Sequence, residues 1–306
     1  MSTQTPTSQL DRSGLVIVDK PAGMTSHDVV GRLRRIFGTR KVGHAGTLDP
    51  MATGVLVAGI ERGTKFLAHM VTSTKAYTAT IRLGQATSTD DAEGEVTATA
   101  TTAQVAALTM EQVQEQIKAL TGDILQRPAQ VSAIKIAGKR AHQRVRDGEE
   151  VDIPARPVTV NRFEVLAHRL TGDFLDLDVV VECSSGTYVR ALARDLGQAL
   201  GVGGHLTALR RTEVGPFQLA DAATLDTLAD LPQLSLTLDA ALARCYPHLQ
   251  VTQEEAAALA MGKWLEPRGL VGVHAALAPD GQAVALVKEQ GKRLATVFVA
   301  RPSTLS

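Results

Sequence analysis

Apolar and polar positions alternate along parts of this chain with the period of half-buried strands, and elsewhere recur at helical spacing. Tyr77, Ala79, Ile81 and Leu83 alternate with Thr78, Thr80 and Arg82, and Leu175, Leu177, Val179 and Val181 alternate with Asp176, Asp178 and Val180. Both patterns predict strands with one face in a core. Leu15 to Val18 and Val55 to Ile60 are continuous apolar runs, short enough for buried strands. Lys20-Pro21-Ala22-Gly23 turns the chain into a helix capped near Thr25 or Ser26. On that helix Val29, Val30, Leu33, Ile36 and Phe37 share a face, leaving Arg32, Arg34 and Arg35 nearer solvent. Met110 to Leu120 predicts another helix, and one beginning near Thr187 carries Tyr188, Arg190, Arg194 and Asp195 over an inner face of Leu192, Leu196 and Leu200. Val131 to Ile136, Gly138 and Lys139 to Asp147 predict a strand, a turn and a basic helix, while the polar stretch Gln85 to Thr102 predicts loop and edge structure. After Phe217 the chain is rich in Ala and Leu, and from Leu249 a short helix precedes Gly-punctuated strands. Strands and helices without βαβ regularity predict an α+β fold, with a small β-rich appendix after a boundary near Pro247.

A length of 306 residues and a hydrophobic content of 44% allow two domains with a sizeable core. The two cysteines, Cys183 and Cys245, have no CxxC or HxxC companion, so buried free thiols in a reducing cytoplasm are expected rather than a disulfide framework or a zinc site. The polar N-terminal stretch has no apolar core of a signal peptide, and no apolar run approaches the length of a membrane span. The 32 basic and 32 acidic residues cancel, but unevenly along the chain. Arg32, Arg34, Arg35, Arg40 and Lys41 form one acid-free block, and Arg127, Lys135, Lys139, Arg140, Arg144 and Arg146 form a second. Such blocks suit phosphate contacts, and equally a solvated helix face.

The candidate chemistry lies in Gly43-His44-Ala45-Gly46-Thr47-Leu48-Asp49-Pro50-Met51-Ala52-Thr53-Gly54. One carboxylate sits in a glycine-punctuated loop beside a histidine, with Pro50 stiffening the backbone after it. Spacing alone admits two readings: a presented, reactive Asp49, or an ordinary Asp-Pro turn.

With these residues in view, the chain resembles the bacterial tRNA pseudouridine synthases of the TruB family. The resemblance runs in order through Asp19-Lys20-Pro21-Ala22-Gly23-Met24-Thr25-Ser26, the Asp49 loop, Lys75-Ala76-Tyr77 with Leu83-Gly84, and Ser132-Ala133-Ile134-Lys135 followed by Gly138-Lys139-Arg140-Ala141. It continues through Gly186-Thr187-Tyr188-Val189-Arg190 and ends at His205-Leu206 with Leu209-Arg210-Arg211. It implies a mixed, mainly antiparallel sheet with flanking helices and a central cleft, in a catalytic domain over 13–247 that follows a flexible N-terminus at 1–12. An RNA-gripping insertion at about 126–155 and a PUA-like RNA-binding β domain over 248–306 complete the expected organisation. The implied activity is cofactor-independent isomerisation of the uridine at position 55 in the TΨC arm of tRNA, in the cytoplasm, with no metal and no obligate protein partner.

By the same resemblance, Asp49 is the nucleophile, Tyr77 the active-site tyrosine and Arg190 the arginine that pairs with the aspartate. His44, Tyr77, Tyr188 and Leu209 are substrate-binding, and Lys20, Arg127, Lys135, Lys139, Arg140 and Arg144 contact RNA. The chain departs from the family where Pro128 is followed by Ala129 instead of a second proline, where Val131 replaces an aromatic, and where His142 replaces a tyrosine.

These residue types suit the reaction. Breaking the C1′–N1 bond and rejoining uracil through C5 needs a group that attacks the sugar, or stabilises or deprotonates an oxocarbenium-like species, and an ionised carboxylate does each. A sugar adduct, a base adduct and a glycal route all remain open. A partly buried Asp49 needs a cation to stay ionised, and an arginine stays charged. Tyr77 offers a plane for a flipped uracil. Two rivals make different predictions: an RNA-folding chaperone with incidental catalysis, and a carboxylate-dependent glycoside hydrolase, which would want a second carboxylate in the loop.

Overall fold

The computed structural model describes residues 8–70, 74–129, 135–136, 139–140 and 154–305. They fall into two compact units: one contains the described chain up to Pro50, from Gly54 to Met70 and from Gly215 onward, and the other holds Met51–Thr53 and the described residues through Val214.

In the first unit, the apolar run becomes the strand Gly14–Lys20, nearly every residue of it buried. It pairs antiparallel with Thr53–Ile60 in a register from Gly14 opposite Ile60 to Lys20 opposite Gly54. Its other edge is covered by chain from far downstream: Leu236–Thr237 pairs with Leu15 and Gly14, and Ala223 bridges Val18. Val42–Ala45 joins Thr53–Ile60 antiparallel, placing His44 opposite Ala58. The helix Ser26–Ile36 starts where Thr25 caps it, and the Thr25–Asp28 pair closes a capping box. Its Val29, Val30 and Leu33 are buried as the apolar spacing predicts. The same unit carries a four-stranded sheet of His248–Gln250, Val273–Leu277, Ala283–Gln290 and Arg293–Val299, antiparallel apart from its first pair. The helix Gln253–Ala260 buries Ala256 and Leu259 in the core of that sheet.

The second unit is built on five antiparallel strands in the order Gly204–Val214, Lys75–Leu83, Phe174–Cys183, Arg156–Thr171, Gly122–Gln126. Lys75–Leu83 is flanked on both edges, by Gly204–Val214 and Phe174–Cys183, and its alternating Tyr77, Ala79, Ile81 and Leu83 are all buried. The helix Val189–Ala199 lies against Gly204–Val214. They approach closely enough that a Cβ at Gly197 would sit 2.2 Å from Gly204 N, so only glycine fits there. The expected loop-and-edge stretch contains a hairpin of Gln85–Thr87 and Val96–Thr99, and the helix Met110–Ala119 follows.

Two expectations change. The basic helix expected from Lys139 does not begin there, because Lys139–Arg140 is extended and pairs with Lys135–Ile136. The remainder of that segment, with Arg144 and Arg146, lies outside the described residues. The sixteen-residue strand Arg156–Thr171 and the strand Gly204–Val214 were not among the predicted elements. Among the described residues, no helix is long and apolar enough to cross a membrane.

Candidate active site

Asp49 is bracketed by two clamped neighbours. On one side, the buried Ser26 hydroxyl donates to Leu48 O at 3.0 Å and accepts from Leu48 N at 2.8 Å, closing both polar groups of that buried peptide. On the other, Pro50 O accepts from Gly23 N at 2.8 Å and from Lys20 Nζ at 3.2 Å. Gly46 at φ +73° gives the loop the left-handed turn that residues with a Cβ rarely adopt, and a residue before proline is held extended. The two sequence motifs nearest the N-terminus are therefore one structure: Lys20, Gly23 and Ser26 of the first hold Leu48 and Pro50 of the second. Asp49 and His44 are both half-buried.

Lys20 requires a correction. It is fully buried, and its ammonium donates to the carbonyls of Pro21 at 2.8 Å, Met24 at 2.6 Å and Pro50 at 3.2 Å. A buried ammonium with three carbonyl acceptors staples loops and cannot reach an RNA phosphate in this conformation.

In the second unit, the sheet places Tyr77 and Leu209 on one face. Tyr77 lies opposite Arg211 and Val181, and Ala79 lies opposite Leu209 and Val179. Directly opposed residues share a face, so Tyr77, Leu209 and Arg211 emerge together, all buried. Arg211, 1% exposed, puts a guanidinium beside the tyrosine's strand position. Lys75, two residues before Tyr77, donates to Ser185 Oγ at 3.1 Å. Burial, then the charge of Arg211, draws its pKa below the ordinary lysine value.

Arg190 sits in the first turn of Val189–Ala199, buried, with Nη1 donating to Thr89 O at 2.9 Å and 3.4 Å from Asp91 Oδ2. Four residues on, Arg194 Nη1 reaches Asp90 Oδ2 at 3.2 Å. Successive carboxylates of one loop thus meet successive arginines on one helix face. Asp90 adopts φ +61°, a conformation aspartate tolerates better than most residues, and its carbonyl accepts from Leu206 N at 3.0 Å. Burial pushes the Asp90 carboxyl above its ordinary pKa, against the opposing pull of Arg194 and Arg190.

Tyr188 is fixed by a residue the sequence did not single out. Gln126 Oε1 accepts from Tyr188 N at 2.8 Å and Gln126 Nε2 donates to Tyr188 O at 3.1 Å. Gln126 ends the strand from which the basic insertion departs, so the helix start carrying Tyr188 and Arg190 is tied to the root of that insertion. Arg127 follows, exposed, and with Pro128, Asp90 and Arg194 lines a cavity of about 510 Å³. Ala129, where the second proline was expected, is fully buried. Only the backbones of Lys135, Lys139 and Arg140 are described, and Arg144 lies outside. The other acid-free block is partly compensated in space: Arg32 pairs with Asp226 at 2.6 Å and Lys41 with Glu61 at 3.4 Å.

Residues 34–189 match the model of the TruB family pseudouridylate synthase N-terminal domain, 190–245 that of the tRNA pseudouridylate synthase B C-terminal domain, and 246–301 that of tRNA pseudouridine synthase II, C terminal. The chain belongs to the TruB family. It is therefore a pseudouridine synthase, an isomerase. Tellingly similar TruB relatives include tRNA pseudouridine synthase B of Corynebacterium aurimucosum, 74% identical over 98% of this chain and 100% of that one. That of Nocardia farcinica is 63% identical over 98% of this chain and 97% of that one. Among solved structures, an archaeal box H/ACA sRNP Nop10-Cbf5 complex contains a chain matching at TM-score 0.68 and 24% identity, covering 95% of this chain and 87% of that one. A Cbf5-Nop10-Gar1 complex matches at TM-score 0.71 and 25% identity, covering 97% and 87%. The TruB fold is thus the expected α+β architecture, a large mainly antiparallel sheet with a small C-terminal β-sheet.

Proposed function

We propose that this TruB enzyme isomerises a uridine of tRNA, the one at position 55 in the TΨC arm, to pseudouridine, with Asp49 as its reactive carboxylate. The observation that carries the reading is near-complete coverage, at 74% identity, of a relative named tRNA pseudouridine synthase B. The clamping of Leu48 and Pro50 supports Asp49's role, because a carboxylate that must meet one atom of the target nucleotide gains from a backbone already in place.

The target uridine is extruded from its arm at a cost of about a few kcal/mol, offset by phosphate contacts along Arg127 and the basic insertion. Ionised Asp49 then acts on the sugar or on the base as the C1′–N1 bond breaks. The uracil turns, C5 bonds to C1′, the C5 proton leaves and N1 gains one, so substrate and product are isomers and no redox partner is consumed. Tyr77 provides a stacking plane. Arg190, held by Thr89 and Asp91, supplies the permanent positive charge that keeps the reactive carboxylate ionised. His44, Tyr188 and Leu209 serve as substrate contacts. Residues 13–247 act as the catalytic domain, and 248–306 as a PUA-like RNA-binding domain.

The test is pseudouridine mapping of tRNA incubated with the wild-type chain and with Asp49→Asn. The wild type should modify the TΨC-arm uridine without releasing free uracil. The variant should lose at least about 10³-fold in rate and keep its affinity for tRNA. Turnover by the variant at the wild-type rate would remove Asp49 from the chemistry, and uracil release would indicate a hydrolase.

A further inference from the structure

Trp264 is the chain's single tryptophan and is 47% exposed. Its place is fixed by its neighbour: Leu265 and Leu294 exchange backbone hydrogen bonds of 3.0 and 2.9 Å, and both leucines are buried in the core of the C-terminal sheet. Side chains alternate across extended backbone, so Trp264 emerges on the outer face with Arg293 and Ala295. The Arg293 guanidinium carbon lies 4.7 Å from the indole centroid. Around them opens a pocket of about 500 Å³ whose wall includes Gln290, Lys292 and Thr296. Its lining has two cations, two neutral hydrogen-bonding side chains, an aromatic plane and no carboxylate.

An indole alone would suit an apolar peptide, but this one is rimmed by charge and amide rather than by apolar side chains. Aromatic planes flanked by cations suit a base and its phosphate, and stacking requires a base that is not already paired. We propose that this pocket binds single-stranded RNA, with an unpaired base against Trp264 and the adjoining phosphate held by Lys292 and Arg293. The site rests on the reading above that RNA is this chain's substrate, and adds a contact within the C-terminal sheet.

Because there is one tryptophan, emission of the full chain reports this pocket directly. Titration with single-stranded hexauridylate and hexaadenylate should quench it saturably. A blunt GC-rich RNA duplex long enough to stay paired, and the mononucleotides, should need at least about tenfold higher concentration, since one stacked, unpaired base with its neighbouring phosphates is the unit recognised. The Lys292→Ala, Arg293→Ala double variant should weaken the quenching by at least about fivefold in affinity. Trp264→Ala, followed by filter binding, should show a similar loss that Trp264→Phe partly restores, which separates stacking from misfolding. Unchanged emission, quenching that the double variant reproduces at wild-type affinity, or equal response to mononucleotides would overturn the site. Emission is read without turnover. A chain that isomerises without quenching loses only this site, and one that quenches without isomerising loses only the proposed activity.

Discussion

What fixes Asp49 begins with its neighbours. The Ser26 hydroxyl is both donor and acceptor to the Leu48 peptide, in a buried setting where water cannot substitute for it. Removing it leaves a buried N–H and C=O unpaired, a loss of about 1–3 kcal/mol. Ser26→Ala should therefore lower the melting temperature and slow single-turnover pseudouridine formation while tRNA binding persists. A variant with wild-type melting and wild-type rate would show that this clamp does not position the aspartate. At this scale the chemistry was more legible than its supports. Asp49 stood out because glycines and a proline mark a loop wherever they cluster. Lys20 did not, because a lysine reads as a surface charge until three carbonyls, one from a loop thirty residues on, are seen to surround it. Asp91 and Arg190 meet across about a hundred residues of sequence, a separation at which no local pattern signals the pair.

Among the elements, legibility followed exposure and regularity. Lys75–Leu83 and Phe174–Cys183 kept a period of two because one face of each is core. Arg156–Thr171 broke that period twice, at irregularities between Val160 and Arg162 and between Val165 and Ala167, and its last turns of sequence are exposed on both faces. Gly204–Val214 is likewise interrupted, and it buries Arg211 where a charge argues for solvent. Between the two legible strands, Arg82 and Asp176 form a bidentate pair with both bonds at 2.8 Å. Burial alone would raise the Asp176 carboxyl, but hydrogen bonds from Arg82 and Thr171 and the Arg82 charge bring it below its ordinary pKa. A depressed acid stabilises the fold above its unfolded pKa of about 4, and that stability is lost as pH falls through the lower folded value. Asp176→Asn should be less stable by about 1–3 kcal/mol at neutral pH and show a shallower loss of stability on acidification. Parallel acid limbs for wild type and variant, followed by denaturant unfolding, would remove this pair as a source of the pH dependence.

For the molecule as a whole, a net charge of zero conceals the distribution on which RNA binding depends. Some of the local basic excess is spent internally, as Arg32 on Asp226 and Lys41 on Glu61 show. Of the two acid-free blocks, the one beginning at Arg127 is the stronger candidate for phosphate contact. Neutralising Lys139, Arg140 and Arg144 together should weaken tRNA binding and flatten the plot of log affinity against log salt by about 0.7–0.9 per lost contact. A folded triple variant with the wild-type slope would assign those charges to solvent and leave the Asp49 chemistry untouched. The strand Gly14–Lys20 bears on how such a chain is made. The bonds from Lys20, Gly23 and Ser26 to Leu48 and Pro50 all lie within its first sixty residues, whereas one edge of that strand waits for Ala223 and Leu236–Thr237. During synthesis from the N-terminus, an apolar strand edge therefore stands uncovered until most of the chain has left the ribosome, and that interval is when the nascent protein most needs shielding from pairing with strangers.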